Sequence, residues 1–237
     1  MKTIEMFNPV EDVNYYIFAG STKPYHKGHH EMIMAAINDA AKDPDGEVLL
    51  FIGAKGRGKL SGEIMEEIWD NIISRHYFDL CDELNVPIHI DFGGWGPVGK
   101  VLHILKTISE RDVGEKYCKN KVFIYADKDD CLEYYLNRKY SKKNPSVELK
   151  SSPPNYILPL LESHPKSISF MGIKFPDRFT RGVGTTDISG TKVRSYIKEN
   201  DIQNLNFAIP EWMDIYQRNY YVDKLVRCYH ENNKIAI

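Results

Sequence analysis

The sequence predicts an α/β fold: a Rossmann-like parallel sheet with helices on both faces and a C-terminal helical extension. Short apolar runs rich in β-branched and aromatic residues alternate with segments of helical periodicity. The order is strand, helix, strand, helix, strand, helix, strand, at the spacing that right-handed crossovers between parallel strands require. The chain has 237 residues, 42% hydrophobic and 27% charged, which suits one domain with its own core and is short for two. Residues 1–237 therefore read as one unit, with a core over about 14–200 and the helical extension over about 201–237.

Taken in order, Tyr15-Tyr16-Ile17-Phe18-Ala19 before Gly20 reads as the first buried strand, and Ser21-Thr22-Lys23-Pro24-Tyr25 as a turn-rich stretch. From Gly28 onward, Met32, Ile33, Ala36, Ile37 and Ala40 recur at helical spacing, and Asp43-Pro44-Asp45-Gly46 ends that helix. Val48 to Ile52 is the second strand, and Gly53 to Gly62 a loop of glycines and cations. Ile64 to Leu84 has the pattern of one long amphipathic helix. Val86 to Ile90 is the third strand, Gly93-Gly94-Trp95-Gly96-Pro97 a loop, Val98 to Ser109 a helix and Val122 to Ala126 the fourth strand. Residues 139–166, polar and proline-bearing, read as a long surface excursion, and Ser167 to Ile173 as a fifth strand. Gly190 to Glu199 and Pro210 to Asn232 read as helices, the last amphipathic and aromatic (Trp212, Ile215, Tyr216, Tyr220, Leu225, Tyr229), a face that suits packing against the domain before a partner surface.

Charge narrows the function classes. Lys plus Arg is 31 and Asp plus Glu 33, a formal net charge of −2. Such a balance gives no global field for nucleic acid or an anionic membrane. No run approaches the ~20 apolar residues that cross a bilayer, and the N-terminus lacks an apolar core of signal-peptide length. The cysteines Cys81, Cys118, Cys131 and Cys228 form no C-x-x-C pair and read as scattered thiols of a reducing compartment. The expectation is a cytoplasmic protein with small-molecule partners, no nucleic acid and no membrane, the possibility of a homo-oligomer being left open.

In open parallel sheets, ligands bind beyond the carboxyl ends of the strands, here the loops that begin at Gly20, Gly53, Phe92 and Ala126. The first of these loops reads Gly20-Ser21-Thr22-Lys23-Pro24-Tyr25-His26-Lys27-Gly28-His29. Lying between a strand and a helix N-terminus, it offers free N–H groups and a partial positive charge suited to phosphate. Two imidazoles three residues apart, with Gly28 between them, can face one anion; a capping or core role is the bland alternative for either. A second stretch, Thr186-Asp187-Ile188-Ser189-Gly190-Thr191-Lys192-Val193-Arg194, opens another helix. Ser189 or Thr191 can simply cap it. Its functional reading is a second anion site, with two hydroxyls, free N–H groups and Arg194 one turn in.

Together, His26-Lys27-Gly28-His29 and Ile188-Ser189-Gly190-Thr191-Lys192-Val193-Arg194 resemble the H-x-G-H and I-S-S-T-x-I-R signatures of the nucleotidylyltransferase superfamily. The glycine in the second motif and the run Pro24-Tyr25-His26-Lys27-Gly28-His29 resemble archaeal-type nicotinamide mononucleotide adenylyltransferases. Asn206-Phe207-Ala208-Ile209-Pro210-Glu211 resembles the proline-containing link to a terminal helix in that group. Ala126-Asp127-Lys128-Asp129-Asp130 stands where the family has its G-x-D nucleotide loop, and a set of phage-encoded nucleotidyltransferase-like proteins shares the layout. The chain departs from the family at Thr22-Lys23, where an aromatic residue followed by Asp, Asn or Gln is common, and at Ala126, usually glycine. Arg181-Gly182-Val183-Gly184-Thr185-Thr186 echoes a cytidylyltransferase signature and keeps CTP open as the nucleotide.

The resemblance implies transfer of an adenylyl group from ATP, with bridging Mg²⁺, to a phosphate-bearing acceptor and release of pyrophosphate, without an enzyme–nucleotide intermediate. Nicotinamide mononucleotide is the first acceptor it suggests; phosphopantetheine, flavin mononucleotide and sugar or polyol phosphates are the others. His26, His29 and Arg194 would be the catalytic set. Nucleotide contacts would come from Ala19, Gly20, Ser21, Thr22, His26, His29, Asp127, Ser189, Thr191 and Arg194. Lys23, Lys55, Arg57 and Trp95 would contact the acceptor, Trp95 as a stacking platform or else a loop anchor, and Lys59 belongs to the same basic loop. Asp127 and Asp129 suit a ribose, a base or a helix N-cap. No residue is assigned to metal. Competing readings are a class I aminoacyl-tRNA synthetase, which lacks a K-M-S-K-S-like run here, a zinc hydrolase using His26, His29 and His30, and a non-catalytic nucleotide-binding module.

Overall fold

The computed structural model describes residues 13–93, 96–111, 120–125, 169–174 and 188–231. Five parallel strands, β1 (Asn14–Gly20), β2 (Gly46–Ile52), β3 (Ile88–Phe92), β4 (Lys121–Tyr125) and β5 (Ser169–Lys174), form one sheet in the order β3-β2-β1-β4-β5. The chain leaves β1 toward β2 and β3 and later crosses back to place β4 on the other side of β1. The order thus reverses at β1, and the crevice of an open α/β sheet lies at the carboxyl end of such a strand. In register, Ile17 of β1 lies between Leu49 and Ile124. The central strands are apolar over Tyr15–Ala19, Val48–Ile52 and Val122–Tyr125 because both faces are covered there.

Alternation along the strands divides the core. Tyr16, Phe18, Val48, Leu50, Phe123 and Tyr125 share one cluster with helix α1 (Lys27–Ala40) and with the helical segments α2 (Gly62–Ile68) and α3 (Ser74–Glu83). The opposite residues Tyr15, Ile17, Leu49, Phe51, Val122 and Ile124 are also buried, on the face met by α4 (Pro97–Arg111) through Val101 and Ile104. Each such large side chain contributes roughly 1.5–3 kcal/mol on burial. The tyrosines of the first face reach back to α1 and its end: Tyr16 donates to Asp43 Oδ2 at 2.8 Å and Tyr125 to Asp39 Oδ2 at 2.7 Å. Burial and these acids push both phenols up.

The remaining helices, α5 (Gly190–Glu199), α6 (Ile202–Ala208) and α7 (Ile215–Glu231), belong to the same core as the first face of the sheet, through Val193, Leu205, Tyr221 and Leu225. The extension beyond position 200 is therefore packed into the domain, although Ile215 and Tyr216, expected on its packed face, are 61% and 82% exposed at the start of α7. Most boundaries shift by a residue or two, and three differences from expectation have a visible cause. Between α2 and α3 the helix continues through a π-helical turn, Trp69–Ile73, which brings the consecutive residues Ile72, Ile73 and Ser74 inward. The third strand starts at Ile88, because Val86 is spent on the helix end: Asn85 takes φ 52° and Val86 N–H bonds Cys81 O at 2.9 Å. The last helix starts at Ile215, where Asp214 and Gln217 cap each other's N–H groups at 2.8 and 3.1 Å. Among the described residues no helix is long and apolar enough to cross a membrane.

Candidate functional site

The loop from β1 to α1 is held from several sides. Gly20 O accepts from Gly53 N–H at 3.0 Å, which joins the loops that leave β1 and β2. Thr22 takes φ 43°, a conformation an L-residue adopts only under constraint. The constraint is visible: its hydroxyl, fully buried, accepts from Trp69 Nε1 at 3.1 Å. Lys23 and Tyr25 are also buried, and the Lys23–Pro24 bond is cis. His26 follows with extended backbone as the N-cap of α1, its carbonyl accepting from His29 N–H at 2.9 Å and His30 N–H at 3.1 Å. The His26 and His29 rings stack at 3.8 Å between centroids. A Cβ at Gly28 would stand 3.2 Å from His26 Cε1 and 3.8 Å from Ile188 O. The glycine of H-x-G-H thus leaves room both for the imidazole to fold over and for the second stretch to approach.

That second stretch does arrive there. Ser189 is the N-cap of α5, its Oγ accepting from Lys192 N–H at 3.3 Å. A Cβ at Gly190 would lie 3.7 Å from Lys23 O and 4.0 Å from His26 Nε2. Arg194 Nη1 donates to Lys23 O at 2.8 Å, and its Nη2 to Thr191 Oγ1 at 3.0 Å. The N-termini of α1 and α5 therefore stand side by side at the end of β1, with a guanidinium bonded across them. Each carries the positive end of a helix dipole.

The loop after β2 adds more charge. Arg57 Nη1 lies 3.4 Å from Ser21 Oγ. Burial, and after it the charge of Arg57, lowers the Arg194 guanidinium from its ordinary value. Two like charges that feel one another beside two imidazoles and two helix N-termini suit a polyvalent anion. Lys55 and Lys59 are exposed at the loop surface. Lys59 Nζ lies 5.2 Å from the Tyr229 ring centroid, and its carbonyl accepts from Cys228 Sγ at 3.5 Å, so α7 braces the loop.

Of the residues expected at the site, Ala19, Gly20, Ser21, His26, His29, Arg57, Ser189, Thr191 and Arg194 lie at or beside this junction. Two hold different positions from those expected. The Thr22 hydroxyl is committed inward to Trp69, and Lys23, 2% exposed, turns its amine to Lys55 O instead of toward solvent. Ser189 has the capping role that its position before a helix also allowed. Asp127, Asp129 and Trp95 lie outside the described residues.

Beneath the motif runs a polar chain that sequence reasoning missed. Tyr221 OH on α7 donates to Tyr25 O at 2.5 Å; Tyr25 OH and Tyr77 OH are 2.6 Å apart; Tyr77 OH lies 2.9 Å from His30 Nδ1. Burial, with the neighbouring His76 second, pushes His30 down to about 4, so this imidazole is neutral at pH 7. Burial first raises Tyr25 and Tyr77, which remain protonated donors. The chain grips residues 25 and 30, the two that bracket His26–His29. In the sequence these phenols signal no role, Tyr25 standing in a turn-rich stretch and Tyr77 and Tyr221 within helical runs. Comparison with protein-family models, curated proteins and solved structures finds no match to this chain.

Proposed function

We propose that the chain is a nucleotidylyltransferase. An acceptor phosphate oxygen attacks the α-phosphorus of ATP, the bond from that phosphorus to the bridging oxygen of the leaving group breaks, and pyrophosphate departs. The observation that supports this is the meeting of the two glycine-bearing helix N-termini, bonded through Arg194 to Lys23 O. Such chemistry asks a protein mainly to position the phosphates and to stabilise the charge that develops on them. In this reading His26 and His29 bond to the triphosphate and to the growing negative charge on it. Arg194, Thr191 and the N-terminus of α5 hold the β- and γ-phosphates, so the leaving pyrophosphate is received by a cation. Ser21 and Arg57 hold the oxygens at the other end of the cradle.

Mg²⁺ arrives with the triphosphate as part of the substrate. The donors of the cradle are imidazoles, hydroxyls and guanidiniums, which suit phosphate oxygens. Among the described residues no group of three or more His, Cys, Asp or Glu gathers that could hold an ion.

Nicotinamide mononucleotide is the acceptor this reading puts first, in the cytoplasm. The test is pyrophosphate release from ATP, and in parallel from CTP, with nicotinamide mononucleotide, phosphopantetheine, flavin mononucleotide and sugar or polyol phosphates. His29→Ala should lower the rate ~10²–10³-fold, the usual cost of removing one transition-state donor, with the fold intact by circular dichroism. Wild-type turnover by that variant removes the motif from the mechanism. Nucleotide binding without pyrophosphate from any acceptor makes the protein a binding module instead.

A further inference from the structure

Lys23 stands where three strand-end loops meet. Its Nζ donates to Lys55 O in the β2–α2 loop and lies 5.8 Å from the ring centroid of Phe92 at the end of β3. Its own carbonyl is bonded by Arg194 of α5, and Arg57 reaches Ser21 two residues before it. His26 follows on α1, and on α2 Glu66 acts on the amine from beyond ion-pair distance. Among the described residues no carboxylate forms an ion pair with it. Yet the residue is 2% exposed.

Burying a cation with a carbonyl and a ring beside it but no ion-paired carboxylate costs stability. Burial lowers this ammonium to about 8, with Glu66 pulling the other way. Packing does not call for a charge at this point, since an apolar chain of similar length fills the same volume. A stability cost that the fold does not require points to a use elsewhere.

We infer that Lys23 is a buried charge awaiting an anion: a polyphosphate in the adjoining cradle of Ser21, His26, Arg57 and Arg194 completes its compensation, so that ligand binding and protonation of this amine are coupled. The inference rests on the reading of that cradle as a polyphosphate site. Lys23 does not touch the ligand; it acts through its field and through the loop that carries Arg57.

The folded value, about 8, lies below the 10.5 of a free lysine, so the unfolded chain holds this proton more tightly. Lys23 therefore opposes folding at pH 7, and that penalty fades as pH rises from 8 toward 10.5. Anion binding has the opposite dependence. It favours the protonated amine, so affinity is full below pH 8 and falls above it.

The experiment is calorimetric titration with ATP and Mg²⁺ between pH 7.5 and 9.5, where the nucleotide's own charge is constant, in two buffers of different ionisation enthalpy. Wild-type affinity should fall by up to about tenfold per pH unit above 8, with uptake of about half a proton at pH 8. Lys23→Met should bind about tenfold more weakly at pH 7.5, lose that pH dependence and proton uptake, and melt at a higher temperature than wild type. Wild-type affinity and pH dependence in Lys23→Met overturn the inference alone. So does a variant that melts lower or fails to fold, because the charge would then serve the fold. A wild-type protein that binds no ATP at pH 7.5 removes the cradle reading, and this inference with it.

Discussion

Replacing Tyr77 by phenylalanine deletes one oxygen at the centre of the chain beneath the motif. That oxygen lies 2.6 Å from Tyr25 OH and 2.9 Å from His30 Nδ1, and both tyrosines are fully buried. Each lost hydrogen bond removes roughly 0.5–1.5 kcal/mol, and a partner left unsatisfied in a dry interior adds to this, so the expected cost is about 2–3 kcal/mol. For a chain of this size that corresponds to a fall in Tm of about 5–10 °C. Urea denaturation and calorimetry of Tyr77→Phe, Tyr25→Phe and the double variant measure it. The double variant should cost less than the sum of the singles, because removing both hydroxyls leaves fewer orphaned groups. Turnover should fall further than stability alone explains, since residues 25 and 30 bracket the paired imidazoles. A loss below about 0.5 kcal/mol in Tyr77→Phe, or strict additivity in the cycle, refutes the idea that this chain is a connected support.

Gly62→Ala should destabilise by more than about 2 kcal/mol, because the added Cβ would stand 2.0 Å from Ala54 O, a backbone atom that cannot swing aside; urea midpoints read it. Acid should weaken the fold through His30. Its folded value of about 4 lies below the 6.5 of a free histidine, so its contribution is fully present above 6.5 and is lost as pH falls toward 4, on the order of 1 kcal/mol per pH unit. His76, lowered by burial first, acts in the same direction; stability measured from pH 7 to 4.5 should show a shallower slope in His30→Gln. Arg194→Lys keeps the charge but cannot bond Lys23 O and Thr191 Oγ1 together as the guanidinium does. Its pyrophosphate release should drop at least about tenfold while the Tm stays within a few degrees.

The sheet was legible because its signals are local and strong: five apolar runs, each bounded by glycine, proline or a charged turn. That residues 20–29 and 188–194 each open a helix was legible in their glycines, hydroxyls and histidines, whereas their meeting was expected only from the resemblance to the paired nucleotidylyltransferase signatures. Misplaced boundaries trace to caps that compete with periodicity. Val86 has the residue type of a strand and is used to close α3. Helix α6 was missed although Asp201, accepting from Asn204 N–H at 3.1 Å, is an ordinary N-cap. The inward turn of Lys23 was beyond reach, because lysine next to a phosphate loop reads as a solvent-facing cation, and only tertiary contacts with Lys55 O and Phe92 decide otherwise. Tyr77 escaped for the same reason: its hydroxyl matters only because Tyr25 and His30, distant in sequence, are folded against it.

The wide turn at Trp69–Ile73 has its own consequence. A turn of this kind accommodates one residue more than a regular helix while leaving the faces before and after it in phase. Here it lets Trp69 reach Thr22 while Tyr77, two turns on, still meets Tyr25. The helix therefore behaves as a regular rod with one spare amino acid folded into its length. Asp70, on the solvent side of that bulge, is the position where the chain could shed a residue and re-form an uninterrupted cylinder without turning Tyr77 away from the loop it supports.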